Sequence, residues 1–167
     1  MSVADCGFQP FTPAGATSPI SGGHSLQVLG PTIHVEVGFS NELFATDPAA
    51  VQAALQAVTG APVPVTLIPA LVDTGAVESC IDEELAKSLN LPLIDRQSGA
   101  GVGGPDTFNF YLGHIRIPAL SWVQYGRFMG ARMSAGGQAH RVLLGRTLLS
   151  QMVLAYDGRT GSVTLAV

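Results

Sequence analysis

Residues 68–81 read Ile-Pro-Ala-Leu-Val-Asp-Thr-Gly-Ala-Val-Glu-Ser-Cys-Ile. An apolar run from Leu67 to Val72 has strand character and ends on a single acid, Asp73, where Thr74 and Gly75 turn the chain at once. The carboxylate therefore sits on a loop fed by a buried strand, and a charge at the edge of a core must be paired, hydrogen-bonded or used. Glycine lets the backbone pass close to the acid, and the threonine hydroxyl can tie the loop to a neighbour. The plainer alternative is a polar turn that closes a strand.

Farther along, Val142-Leu143-Leu144-Gly145-Arg146 forms a second apolar strand that ends on glycine and runs into a short helical segment. Taken together, Leu71-Val72-Asp73-Thr74-Gly75-Ala76 and Leu143-Leu144-Gly145-Arg146 resemble, in order and spacing, the two motifs of the retropepsin-like aspartic proteases, the family of the retroviral proteases and their cellular relatives. The resemblance runs from about Gly30 to Val167. It implies a mostly β fold, a closed β-barrel equivalent to half of an acid protease, with one or two short helices and activity as a two-fold homodimer. It also implies a catalytic Asp73, with Thr74, Gly75, Ala76, Leu143, Leu144 and Gly145 supporting its loop. In the retroviral enzymes an acid four residues after the catalytic aspartate pairs with the arginine after the second glycine. Here that position is Val77, so Arg146 is expected to use Glu78 or another partner.

Between the motifs, Ser98 to Asp106 holds Gly99, Gly101, Gly103 and Gly104 and is followed by alternating aromatics. A phosphate-cradling loop needs a helix directly after it, and Pro105 before Phe108 and Phe110 starts none. A hairpin tip fits better, with a turn expected at Gly113 to close the strand that follows. The resemblance makes this hairpin the flap over bound peptide, with Gly101, Val102, Gly103 and Gly104 at its tip. A plain surface loop is the alternative.

The remaining chain supports one domain. Its 167 residues suffice for one core. A net charge of −4 offers no basic surface for nucleic acid. Only 12% of residues are charged against 47% hydrophobic, as expected if a second copy covers part of the surface or if composition is simply biased to small apolar residues. Residues 1–25, rich in Pro, Gly, Ser and Ala, read as a flexible arm, free or ordered against the domain or a partner; residues 26–167 read as the retropepsin-like domain. The opening residues are not expected to act as a secretory leader, and Gly60, Pro62, Pro64 and Pro69 interrupt the long uncharged region, so no membrane span is expected. With only Cys6 and Cys80 present, reduced thiols in a cytoplasmic protein are expected.

Thr32 to Phe39 alternates with Ile33, Val35, Val37 and Phe39 on one face. Asp47-Pro48 opens an alanine-rich helix to Val58, an insertion that either covers an edge or shapes the cleft entrance. Glu78 to Ile81 reads as strand, Asp82 to Leu89 as a short helix, and Ser162 to Val167 as a terminal apolar strand suited to an intersubunit sheet. His24, His34, His114 and His140 lack ligand spacing, so neither metal nor cofactor is expected, and Cys80 reads as a small core residue.

One Asp-Thr-Gly supplies one carboxylate, whereas hydrolysis by carboxylates requires two, one ionised and one protonated. The expected function is thus an endopeptidase acting on an extended polypeptide, with the homodimer as its own partner. A non-proteolytic dimerisation or peptide-binding module is the competing expectation. A small-ligand barrel accounts for the apolar strands but leaves the acid on the turn unexplained.

Overall fold

The computed structural model describes residues 1–101 and 104–167. In chain order its elements are β1 (Val3–Asp5), α1 (Gly22–Leu29), β2 (Thr32–Gly38), α2 (Pro48–Gly60), β3 (Ile68–Val72), β4 (Cys80–Asp82), α3 (Glu83–Ser88), β5 (Leu93–Gly101), β6 (Gly104–Ile117), β7 (Trp122–Ala131), β8 (Val142–Leu144), α4 (Arg146–Leu149), β9 (Val153–Asp157) and β10 (Ser162–Ala166). With 39% strand and 23% helix, the chain is mostly β.

The larger sheet runs β2-β3-β8-β4-β7-β6-β5, and β2 also pairs with β6 through Glu36–Gly38, so the sheet returns to its own first strand. Alternation explains the interior: Ile33, Val35 and Val37 of β2 are buried and meet Ala70, Val72, Ile115, Ile117, Phe128, Val142 and Leu144 in one core. Phe39 lies beyond the end of β2, where it stacks on Phe44 with centroids 5.6 Å apart, and Phe44 meets Tyr125 edge-on at 6.0 Å.

The turn expected at Gly113 is absent. β6 continues through it from Gly104 to Ile117, and the glycine serves close packing instead, since a Cβ there would lie 3.0 Å from the Gly38 carbonyl oxygen. The phase of the apolar alternation changes at this point because both faces of the strand are covered. The outer face carries His114 and Arg116, and buried Arg116 binds Glu36 at 2.9 Å and the carbonyls of Ala61 and Pro62. The inserted helix α2, capped by Asp47 at Ala49 N (3.1 Å), is thus tied at its C-terminal end to the outside of β6.

Other differences concern β4 and the chain ends. β4 begins at Cys80, later than expected, because Glu78 and Ser79 wrap around Gly145. The C-terminal strand is also no free edge: β10 lies in the middle of a smaller sheet, β1-β10-β9, with Val3 opposite Ala166 and Ser162 opposite Asp157. The opening residues are part of the packed domain, with Ala4, Cys6 and Leu26 buried. Gly7, Gly22 and Gly161 make this possible, because a Cβ on Gly22 would strike Phe8 O and one on Gly161 would strike Gly22. Gly161 also has φ +85, where an L side chain is strained.

Gly161→Ala should therefore cost about 3 kcal/mol, roughly 6–12 °C in Tm, combining left-handed strain with a backbone clash. Gly137→Ala is the control, since Gly137 has φ +71 with nothing within 4 Å. Thermal melts of equal depression in the two variants would show that the docking of the opening segment does not contribute.

Candidate active site

β3 delivers Asp73 to the end of the sheet, and the pairing with β8 continues one step past the strand: Asp73 N donates to Leu144 O at 3.0 Å. The half-buried carboxylate then folds over its own turn, Oδ1 accepting from Gly75 N at 2.8 Å and Ala76 N at 3.3 Å. A Cβ at Gly75 would sit 3.0 Å from that oxygen, so glycine keeps the carboxylate uncrowded. Thr74 is exposed, and among the described residues its hydroxyl has no hydrogen bond.

The second motif holds the loop from beneath. β8 runs parallel to β3, Leu71 opposite Leu143 and Val72 opposite Leu144. At the start of α4, Arg146 N donates to Ala76 O and Thr147 N to Val77 O, both at 3.0 Å. Gly145 lies against the Glu78 carbonyl, where a Cβ would come within 2.5 Å, and its N–H donates to Ser79 Oγ at 3.1 Å. Ser79 is buried and passes its own proton to Gln124 Oε1 at 3.2 Å. Leu144 is fully buried below the loop, whereas Leu143, on the opposite face of the strand, lines the cleft rather than bracing the turn.

Arg146 does not pair with Glu78. Its Nη1 donates to the carbonyls of Thr74 at 2.8 Å and Gly75 at 3.2 Å. With valine at position 77, the carbonyls of the tight turn are the acceptors within reach, and the guanidinium closes the loop from outside.

Beside Asp73 opens a cleft of about 910 Å³ with apolar walls from Leu71, Leu143, Ala131 and Met133 and a polar side from Arg132, Gln138 and His140. His140 was not singled out by sequence, because its proximity to Asp73 arises only from the parallel β3–β8 register, which also sets Arg141 N on Pro69 O at 3.1 Å. Thr32 Oγ1 donates to Gly30 O at 3.0 Å and so is free to accept from His140 Nε2 at 2.7 Å, which assigns the proton of the neutral ring to Nε2. The Met133–Gln138 wall is held by Asp82, whose carboxylate accepts from Ser134 N at 2.9 Å, Ser134 Oγ at 2.7 Å and Arg141 Nη2 at 2.7 Å, and caps α3 at Leu85 N.

The predicted flap is a hairpin. Asp95–Gly101 pairs antiparallel with Gly104–Phe110, Gly101 lies opposite Gly104, and Gly104 has φ +100. Val102 and Gly103 lie outside the described residues. The hairpin is tied to the body at its root, where Arg127 lies 3.8 Å from Asp95 and over the Phe110 ring and Asn109 donates to Glu83, and nearer its tip, where Arg132 lies 3.6 Å from Asp106. Arg132 lines the Asp73 cleft as well, so the Asp106 side of the hairpin lies next to the cleft.

Cys80 is no nucleophile here: burial, reinforced by the negative charges of Glu78 and Asp73, pushes its thiol up to about 11. Among the described residues no cluster of His, Cys, Asp and Glu is arranged to hold a metal ion. No helix among them is long and apolar enough to cross a membrane. Comparison with protein-family models finds no match, and comparison with curated proteins finds none.

Titration of buried groups in the domain sets a pH dependence. Burial lowers both His114 and His140 below the ordinary 6.5, with Arg116 adding to the effect at His114 against the opposing pull of Glu36. Each folded-state value lies below the unfolded one, so the unfolded chain binds the proton first and stability is lost as pH falls below about 6.5. At Asp82 burial acts upward, but the hydrogen bonds from Ser134, Arg141 and Leu85 outweigh it and hold the carboxyl below 3.8. Its contribution, present above that value, disappears as pH falls through the lowered one. Tm followed by circular dichroism should fall from about pH 7 to 5 and again below about pH 4. A Tm constant across that range would contradict both assignments.

Proposed function

We propose that the chain is an aspartic endopeptidase of retropepsin type, in which two copies contribute their Asp73 carboxylates to one site across a two-fold axis. The observation that carries this is the fixed carboxylate of Asp73, with one oxygen held by the Gly75 and Ala76 amides in a turn pinned by β8 and α4 at the head of an apolar cleft. Two such carboxylates close together cannot both ionise, so the pair shares a proton; the handling of one proton by two aspartates is the known behaviour of aspartic proteases. The ionised member takes a proton from the attacking water while the protonated member donates to the scissile carbonyl. The exposed Thr74 hydroxyl is available to the facing loop, and exposed Val77 and Arg146 border the same surface. A polypeptide in extended form, covered by the β5–β6 hairpin, suits the cleft, and Leu71, Leu143 and Met133 favour apolar residues at the cut. Two free buried thiols fit a reducing, cytoplasmic setting.

Two observations favour a second reading, a peptide-binding module without hydrolysis. β10 has both edges occupied within its own chain, and Arg146 lacks the acid found in the retroviral pattern, so two familiar dimer contacts are missing. The dimer of the proteolytic reading is accordingly built around the Asp73–Val77 loops rather than around interleaved terminal strands.

Asp73→Asn tests the choice. The amide matches the carboxylate in shape but cannot serve as base, so cleavage of an unstructured polypeptide should fall at least about 10³-fold while sedimentation still reports a dimer. Mixed dimers of one wild-type chain and one Asp73→Asn chain should be equally inactive. Activity should be best on the acidic side of neutral. Undiminished cleavage by Asp73→Asn overturns the paired-Asp73 mechanism, and peptide binding without cleavage by either protein favours the module.

A further inference from the structure

Next to the Asp73 cleft, and sharing Arg132 with it, a second open groove of about 540 Å³ lies between α3 and the β5–β6 hairpin. Its lining sets Lys87, Arg96 and Arg132 against a single carboxylate, Glu83. In a chain with only eight Lys and Arg and a net charge of −4, three cations on one groove leave the remainder of the molecule acidic.

These cations are positioned without being fully neutralised. Lys87 Nζ lies 3.1 Å from Glu83 Oε1, an oxygen that also accepts from Asn109. Arg96 gives its Nε to the neutral Asn109 Oδ1 at 3.0 Å, and among the described residues it makes no ion pair. Arg132 and Asp106 stand 3.6 Å apart with both side chains well exposed, a pairing weak enough for an incoming carboxylate to replace. The guanidinium edge of Arg96 is the planar fork that a carboxylate accepts from in two places.

We propose that this groove binds an acidic stretch of the polypeptide whose scissile bond lies at Asp73, so that the protein selects substrates by carboxylates a few residues from the cut. The inference rests on the endopeptidase reading. An extended chain advances about 3.3 Å per residue, so a peptide lying in the Asp73 cleft reaches past Arg132 into the groove within a few positions. Side-chain carboxylates suit it better than a nucleic-acid backbone, because a short groove on an otherwise acidic molecule lacks the continuous basic surface that binding phosphates requires.

Binding and cleavage separate the two readings. Two labelled peptides are compared that differ only in Glu against Gln at the positions beside the apolar cleavage pair. On the Asp73→Asn dimer, fluorescence anisotropy at low salt should give about tenfold tighter binding of the Glu peptide. In about 1 M NaCl, where the screening length shrinks to about 3 Å, the difference should fall within about twofold. Arg96→Gln, which breaks no ion pair, should reduce the ratio about threefold, and Arg96→Gln with Arg132→Gln should bring it near unity. Equal binding of the two peptides by the Asp73→Asn dimer, or a preference that survives the double substitution, overturns the groove assignment. A preserved preference for Glu with no cleavage by the wild-type protein upholds the groove as an acidic-peptide site and overturns the endopeptidase reading alone.

Discussion

The parallel pairing of β3 with β8 is the contact on which the rest of the site depends. It sets Leu144 below Val72, gives Asp73 N its acceptor, and carries Gly145 under the Glu78 carbonyl, so one strand pair determines both the height of the acidic turn and the start of α4. Parallel neighbours cannot be joined by a tight turn, and the long connection between them holds β4, the hairpin, β6 and β7. The cleft walls are therefore made by the excursion that parallel pairing requires. β4 returns from the acidic turn to lie against β8 rather than against β3, which is why a loop between two nearby strands is gripped from both sides.

Polar groups buried around this frame serve position more than stability. Asp82 joins β4, α3, the Met133–Gln138 wall and Arg141 through one carboxylate, and breaking such a buried pair is costly because the remaining charge has no solvent. Arg116 does the same for the outer layer, holding the end of α2 against β6. His140 reaches the cleft on a threonine hydroxyl that has already given its proton to Gly30. Each of these groups is held in place by elements distant in sequence.

That distance divides what the sequence disclosed from what it did not. The Asp73-Thr74-Gly75 turn, the Asp47-Pro48 helix start, the alternation of β2 and the glycine-marked hairpin were legible, because each is fixed by local rules of turn, cap and period. Arg146 is expected to use Glu78 or another partner, but its acceptors are the carbonyls of Thr74 and Gly75, which no residue letter announces. Gly113 has the composition of a turn and the role of a spacer, since only the crossing of β2 explains it. The sequence leaves the opening segment open between a free arm and one ordered against the domain or a partner, and the segment packs against the domain. Its glycines were read as flexibility, whereas Gly7 and Gly22 are sites of backbone contact with the β9–β10 turn.

The pairing of β1 with β10 has a consequence in time. Val163 and Leu165 of β10 complete the same core that contains Val72 and Leu144, and β1 covers the other edge of that strand. During synthesis at roughly 5–20 residues per second, β1 waits on the order of 10–30 s before its partner strand exists. Until then the interior under Asp73 is open on one side and the large loop that joins the two strands has yet to close. The acidic turn can form early from its own residues and be gripped once β8 and α4 follow, but the core behind Val72 and Leu144 is complete only after β10 is made.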